Sequence, residues 1–136
     1  MLCPRCKANE LKESKTDKGV KLDVCTQCRG IWFDKGELQR FLQDGLKDLT
    51  IPTGAGPAGL QCPKCRTPLA NFDYPGTRVG VDACKKCGGV WLDGGEFGKI
   101  KAVRKAILAG QPPPQGAARQ GFLGRILSIF KRKPKT

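Results

Sequence analysis

The chain has 136 residues, 25 basic against 12 acidic side chains, a formal net charge of +13, eight cysteines and no histidine. The missing imidazole excludes histidine-based acid–base catalysis and mixed histidine–cysteine metal sites. No apolar run approaches the roughly 20 residues that cross a bilayer, so no membrane-spanning helix is expected.

Cys3-Pro4-Arg5-Cys6 is followed after eighteen residues by Cys25-Thr26-Gln27-Cys28. Glu10 to Lys15 reads as a strand, Asp17-Lys18-Gly19 as a turn, and Val20 to Val24 as a return strand in which Val20, Leu22 and Val24 alternate with period two. Gly30-Ile31-Trp32-Phe33-Asp34-Lys35-Gly36-Glu37 comes next, then a short helix with Leu38, Phe41 and Leu42 on one side and Gly45 as its stop. Asp34 suits a helix N-cap, with Glu37 three residues on to complete a capping box.

A shift of 59 residues repeats the unit. Cys62-Pro63-Lys64-Cys65 and Cys84-Lys85-Lys86-Cys87 are again eighteen residues apart. Pro75-Gly76 marks the turn, and Val79, Val81 and Ala83 the return strand. Gly89-Val90-Trp91-Leu92-Asp93-Gly94-Gly95-Glu96 matches the segment around Trp32, with Asp93 and Glu96 as the second cap pair. A helix from Gly94 to Ala109 carries the apolar stripe Phe97, Ile100, Val103, Ile107 and Leu108, and Gly110 ends it. Trp32 and Trp91 are expected to be lids packed over the small cluster beside each metal.

Four soft donors in two close pairs are what a tetrahedral zinc site requires. The expected ligands are Cys3, Cys6, Cys25 and Cys28 for one Zn²⁺, and Cys62, Cys65, Cys84 and Cys87 for a second. Fe²⁺ fits the same donors, with zinc the default. With Cys3 this near the first residue, no signal peptide is expected, and a reducing, cytoplasmic setting favours metal over disulfides. Units of about fifty residues cannot rely on an apolar core alone, so the ions are expected to supply folding energy.

The fold expectation is therefore a small metal-stabilised α+β protein. Two four-cysteine zinc ribbons, each a β-hairpin with two knuckles followed by a helix, precede a C-terminal amphipathic helix. The boundaries are 1–49 for the first ribbon, 50–60 for an uncharged linker, 61–109 for the second ribbon, 110–120 for a Pro/Gly-rich linker and 121–136 for the tail. Relative motion of the ribbons is the default for such linkers, unless the apolar sides of the helices join them. In the tail, Phe122, Leu123, Ile126, Leu127, Ile129 and Phe130 share one side of a helix and Lys131, Arg132 and Lys133 follow. This pattern suits an anionic membrane surface at the inner face, a groove on a protein partner, folding back onto a ribbon, or pairing with its copy in a dimer.

Both halves resemble the transcription factor IIB-type zinc ribbon family. The shared pattern is Cys-Pro-x-Cys, a hairpin, then Cys-x-x-Cys-x-Gly-x-Trp-x-Asp-x-Gly-Glu, met by Cys3 to Glu37 and again by Cys62 to Glu96. The resemblance implies the ribbon fold and points toward a transcription-associated role. Candidate DNA or RNA contacts are Lys85 and Lys86 on the knuckle, Lys101, Arg104 and Lys105 on the helix, and Lys131, Arg132 and Lys133 in the tail, with Phe72 and Tyr74 able either to stack on bases or to pack locally. Any such binding is expected to be weakly sequence-specific. The alternative is an adaptor that contacts a protein partner through its neutral first ribbon. Closed four-cysteine sites without a nearby base argue against an enzyme and against a small-molecule substrate.

Overall fold

The computed structural model describes residues 1–17, 19–43 and 49–111. The first repeat contributes strands β1 (Lys12–Lys15), β2 (Lys21–Val24) and β3 (Ile31–Phe33), then helix α1 (Glu37–Leu42). The second contributes β4 (Gly56–Gln61), β5 (Pro68–Asp73), β6 (Gly80–Ala83) and β7 (Val90–Leu92), then helix α2 (Gly94–Leu108). All pairings are antiparallel, and they build one seven-stranded sheet in the order β1-β2-β3-β7-β6-β5-β4.

The two ribbons are therefore joined in one sheet. They meet at β3 and β7, with Ile31 opposite Leu92, Trp32 opposite Trp91 and Phe33 opposite Val90. Each partner is the other's repeat equivalent read in reverse, so a local two-fold relation runs through the Trp32–Trp91 pair. Part of the expected linker is structure as well. Residues 56–60 belong to β4, which pairs with β5 through Pro57 opposite Ala70. Proline and glycine are tolerated there because β4 is an edge strand.

The central strands β3 and β7 are buried on both faces, and strand alternation divides their side chains. Ile31, Phe33, Val90 and Leu92 join an apolar cluster with Val20, Leu22, Val79, Val81 and the inner faces of both helices. Trp32 and Trp91 point the other way and join the cysteines, Leu60 and Leu69 in a second cluster. Phe33, Phe41 and Phe97 form an aromatic trio with centroids 5.6 to 6.4 Å apart, which carries the first cluster from one repeat to the other. Phe72 and Tyr74 are buried in this cluster, so they pack locally.

α1 ends at Leu42, with Gln43 left-handed at φ 56°; the expected stop at Gly45 lies outside the described residues. α2 ends as its sequence predicts. Gly110 turns left-handed at φ 71°, its N–H donates to Ile107 O at 3.1 Å, and Gln111 N–H donates to Ala106 O at 2.8 Å. This pair of hydrogen bonds satisfies the last carbonyls of the helix. Residues 112–136, and with them the amphipathic tail, lie outside the described residues. No helix among the described residues is long and apolar enough to cross a membrane.

Each repeat packs an indole against the backbone of the other. A Cβ on Gly30 would overlap the six-membered ring of Trp91, and a Cβ on Gly89 would overlap that of Trp32. Gly30→Ala or Gly89→Ala should therefore cost about 1–3 kcal/mol by forced repacking. Gly54→Ala, with open space around it, should stay within about 0.5 kcal/mol. Thermal denaturation of the zinc-loaded protein measures both.

Candidate metal centres

Each Cys-x-x-Cys forms a tight turn closed by a backbone bond. Lys7 N–H donates to Cys3 O, Arg29 N–H to Cys25 O, Arg66 N–H to Cys62 O and Gly88 N–H to Cys84 O, all at 2.8 to 2.9 Å. The closing residue is left-handed in all four turns, with φ of 65° at Lys7, 67° at Arg29, 64° at Arg66 and 79° at Gly88. Amides inside the turns point at sulfur: Cys6 N–H to Cys3 Sγ at 3.3 Å, Cys65 N–H to Cys62 Sγ at 3.2 Å, and Cys87 N–H to Cys84 Sγ at 3.4 Å.

The hairpins then bring the turns together. In each quartet the four sulfurs lie within 4.8 Å of one another. Cys3 and Cys28 are 3.7 Å apart, Cys6 and Cys25 3.8 Å, and Cys62 and Cys87 3.7 Å. A tetrahedron with zinc–sulfur bonds of about 2.3 Å has edges of about 3.8 Å. These separations match that cage and are far longer than a disulfide bond of about 2.05 Å. All four corners are protein sulfur, so each centre is of the closed, structural kind.

Electrostatics shows why a cation belongs there. Burial pushes the Cys3 thiol up to about 12, helped by the neighbouring Cys28 and Cys25 thiols against the Cys6 and Arg5 amides. Burial likewise takes Cys87 up to about 12. Burial also opposes charge on Cys25, but the amides of Cys28 and Gln27 outweigh it and leave that thiol at about 6. At Cys84 burial is outweighed in turn by the Thr67 hydroxyl and the Cys87 and Lys86 amides, again leaving about 6. Burial and crowding thus oppose charging all four sulfurs of a cage together. Four thiolates share so small a volume only around a divalent ion.

Zinc-loaded protein should contain two ions per chain, and strong chelators should remove sheet structure together with metal. Because bound ligands are thiolates, metal affinity should fall as pH drops from about 7.5 towards 5. A zinc-indicator titration with parallel circular dichroism checks count, pH sense and unfolding.

The acids expected as helix caps are used differently. Asp93 does stand at the N-cap of α2, whereas Gly36 takes that place in α1, and neither Asp34 nor Asp93 makes a side-chain cap bond. Asp34 accepts from the Trp32 indole N–H at 3.2 Å and from Lys64 Nζ at 3.0 Å. Asp93 accepts from the Trp91 indole N–H at 3.0 Å and a two-pronged bond from Arg5 at 2.7 and 3.0 Å. Burial opposes charge on Asp34, yet Lys64 and the indole hold its pKa below the usual carboxylate value. Glu37 does not reach its cap residue. It accepts from Lys21 N–H at 2.9 Å, as Glu96 accepts from Gly80 N–H at 2.9 Å, tying each helix to the start of its own return strand. The two tryptophans are fully buried, each against the opposite repeat's glycine.

Of the expected polyanion contacts, Lys85, Lys86, Lys101 and Lys105 are exposed. Arg104 is half-buried. Its Nε–H donates to Phe41 O at 2.7 Å and its guanidinium lies 4.9 Å from the Phe41 ring, so it joins α2 to α1. Lys131, Arg132 and Lys133 lie outside the described residues. Sequence reasoning missed three cations. Arg5 and Lys64 occupy the variable place inside Cys-Pro-x-Cys and reach the opposite repeat. Lys35 borders a groove of about 460 Å³ with Lys85 and Lys86. A cation at the same place in both repeats was the available signal for the first two.

The family model for the transcription factor zinc-finger, a TFIIB-type zinc ribbon, matches residues 2–44 and 61–103, more than half of the chain. No curated protein and no solved structure gives a significant match. The sulfur cages, their spacing and this double match agree: the chain belongs to the TFIIB-type zinc ribbon family and carries two copies of the ribbon in tandem.

Proposed function

We propose that this zinc protein is non-catalytic and binds nucleic-acid backbones through the second knuckle of its second ribbon. The observation that carries this reading is a break in the repeat. Lys85 and Lys86 stand where the first ribbon has Thr26 and Gln27, and Lys35 stands where the second has Gly94. All three lysines line one groove with Gln39, Leu49, Ile51 and Gly88, and no carboxylate is among its lining residues. A zinc tetrathiolate carries −2, so three ammonium groups leave the groove rim net positive and suited to phosphate. With Phe72 and Tyr74 buried, no base-stacking platform accompanies the lysines among the described residues. Contacts of this kind position a backbone without reading sequence. Closed sulfur sites leave no coordination position for a substrate, which supports a non-enzymatic role.

Fluorescence anisotropy with labelled single-stranded and duplex oligonucleotides tests the reading. Binding should weaken steeply with salt, and Lys85→Gln with Lys86→Gln should lower the log–log salt slope by about 1–2. Absence of binding at low salt, or a slope untouched by these substitutions, overturns it.

A second reading, an adaptor for a protein partner, is favoured by a groove of about 580 Å³ between the first knuckles. Met1 and Leu2, both exposed, line it beside Lys7 and Arg66. Capture from reducing lysate with nuclease treatment separates the readings: only a protein partner survives the nuclease.

A further inference from the structure

We propose that the Trp-x-Asp element of each ribbon is a clip that positions the metal centre of the other ribbon. Trp91 and Asp93 grip both knuckles of the first quartet. Asp93 takes the two-pronged bond from Arg5, which lies between Cys3 and Cys6. Trp91 covers Gly30, two residues beyond Cys28. The same Asp93 Oδ1 accepts the Trp91 indole N–H at 3.0 Å, so ring and carboxylate hold each other in place. The reciprocal clip uses the equivalent contacts. Asp34 Oδ1 accepts from Lys64, between Cys62 and Cys65, and from the Trp32 indole, while Trp32 covers Gly89 beyond Cys87.

Two further contacts thicken the grip. A Cβ on Gly94 would lie 2.5 Å from Cys28 O, so the start of α2 rests on the second knuckle of the first quartet. The stem of Lys35, just after β3, lies over Gly88 of the other quartet. In both places the larger residue, Arg29 or Lys35, comes from the first repeat and the glycine from the second.

A hydrogen-bonded partner outside the ligand set fixes ligand orientation, and its loss commonly weakens metal binding. Here that partner belongs to the opposite repeat, whose own strand is set by its own ion. Filling one quartet thus completes the clip for the other, and linkage makes the gain equal in both directions. The buried indole–glycine contact carries more of this coupling than the ion pairs. Arg5 is 49% exposed and Asp93 37%, and pairs that open contribute little.

The test exploits the crossing. Zinc-loaded full chain is challenged with a chelator and an alkylating reagent, and mass spectrometry reads how fast each cysteine is labelled. Asp93→Asn should speed labelling of Cys3, Cys6, Cys25 and Cys28 by about 2–5-fold and that of Cys62, Cys65, Cys84 and Cys87 by less, through the coupling alone. Asp34→Asn should do the reverse. Arg5→Gln should reproduce Asp93→Asn, and Trp91→Phe should exceed both with the same quartet preference. Faster labelling of the quartet in the mutated ribbon itself, equal loss in both quartets, or unchanged labelling in all four variants overturns the proposal.

Discussion

An indole ring can pack directly against a backbone only where no Cβ stands in the way. Gly30 and Gly89 meet that condition for each other's ribbon, and most of the molecule follows from it. With Trp91 seated on Gly30 and Trp32 on Gly89, β3 and β7 come within hydrogen-bonding reach and the two repeats share one sheet. Joining the sheets also joins the apolar clusters. Phe33, Phe41 and Phe97 then form a core that neither repeat of about fifty residues could assemble from its own side chains.

The sulfur cages and this shared core answer different needs. Metal fixes the knuckles, which are rich in polar backbone and carry three non-glycine residues in left-handed conformation at Lys7, Arg29 and Arg66. Such conformations cost about 1–2 kcal/mol each, and four bonds to one ion readily offset that. Packing fixes what the metal does not touch: the helices, the central strands and the angle between repeats. The tryptophans stand where the two meet, among the cysteines on one face of the sheet, with Ile31, Phe33, Val90 and Leu92 on the other.

Duplication separates architecture from specialisation within a single chain. Positions that keep their residue type in both copies include the ligands, the prolines, Gly30 and Gly89, the Trp-x-Asp elements, Glu37 and Glu96, and the knuckle cations Arg5 and Lys64. Positions that differ are free of the demand for a matching contact in each copy. Lys35, Lys85 and Lys86 are the clearest group, since all three border one groove although they come from both repeats. A two-fold relation broken at one spot concentrates positive charge there.

Cysteine spacing by itself determined the ligand sets and the tandem ribbons, because a tetrahedral four-sulfur site imposes a fixed geometry on pairs close in sequence. Turn signals and period-two alternation located β1, β2 and β6. Helix α2 and its glycine stop were equally legible, since a 3.6-residue period and a left-handed cap are local properties. Which surfaces of the repeats face each other was decided only by the tertiary structure. Asp34 looked like a cap because its neighbours in sequence fit that role, yet the Lys64 that claims it lies thirty residues away. The uncharged stretch before Cys62 looked like a linker because proline and glycine disfavour interior strands, yet an edge position removes the objection for β4. Arg104 looked like a free cation until α1 placed the Phe41 carbonyl beside it. Periodicity and spacing encode what a segment does to itself, whereas contacts between segments depend on an orientation that only the folded sheet supplies.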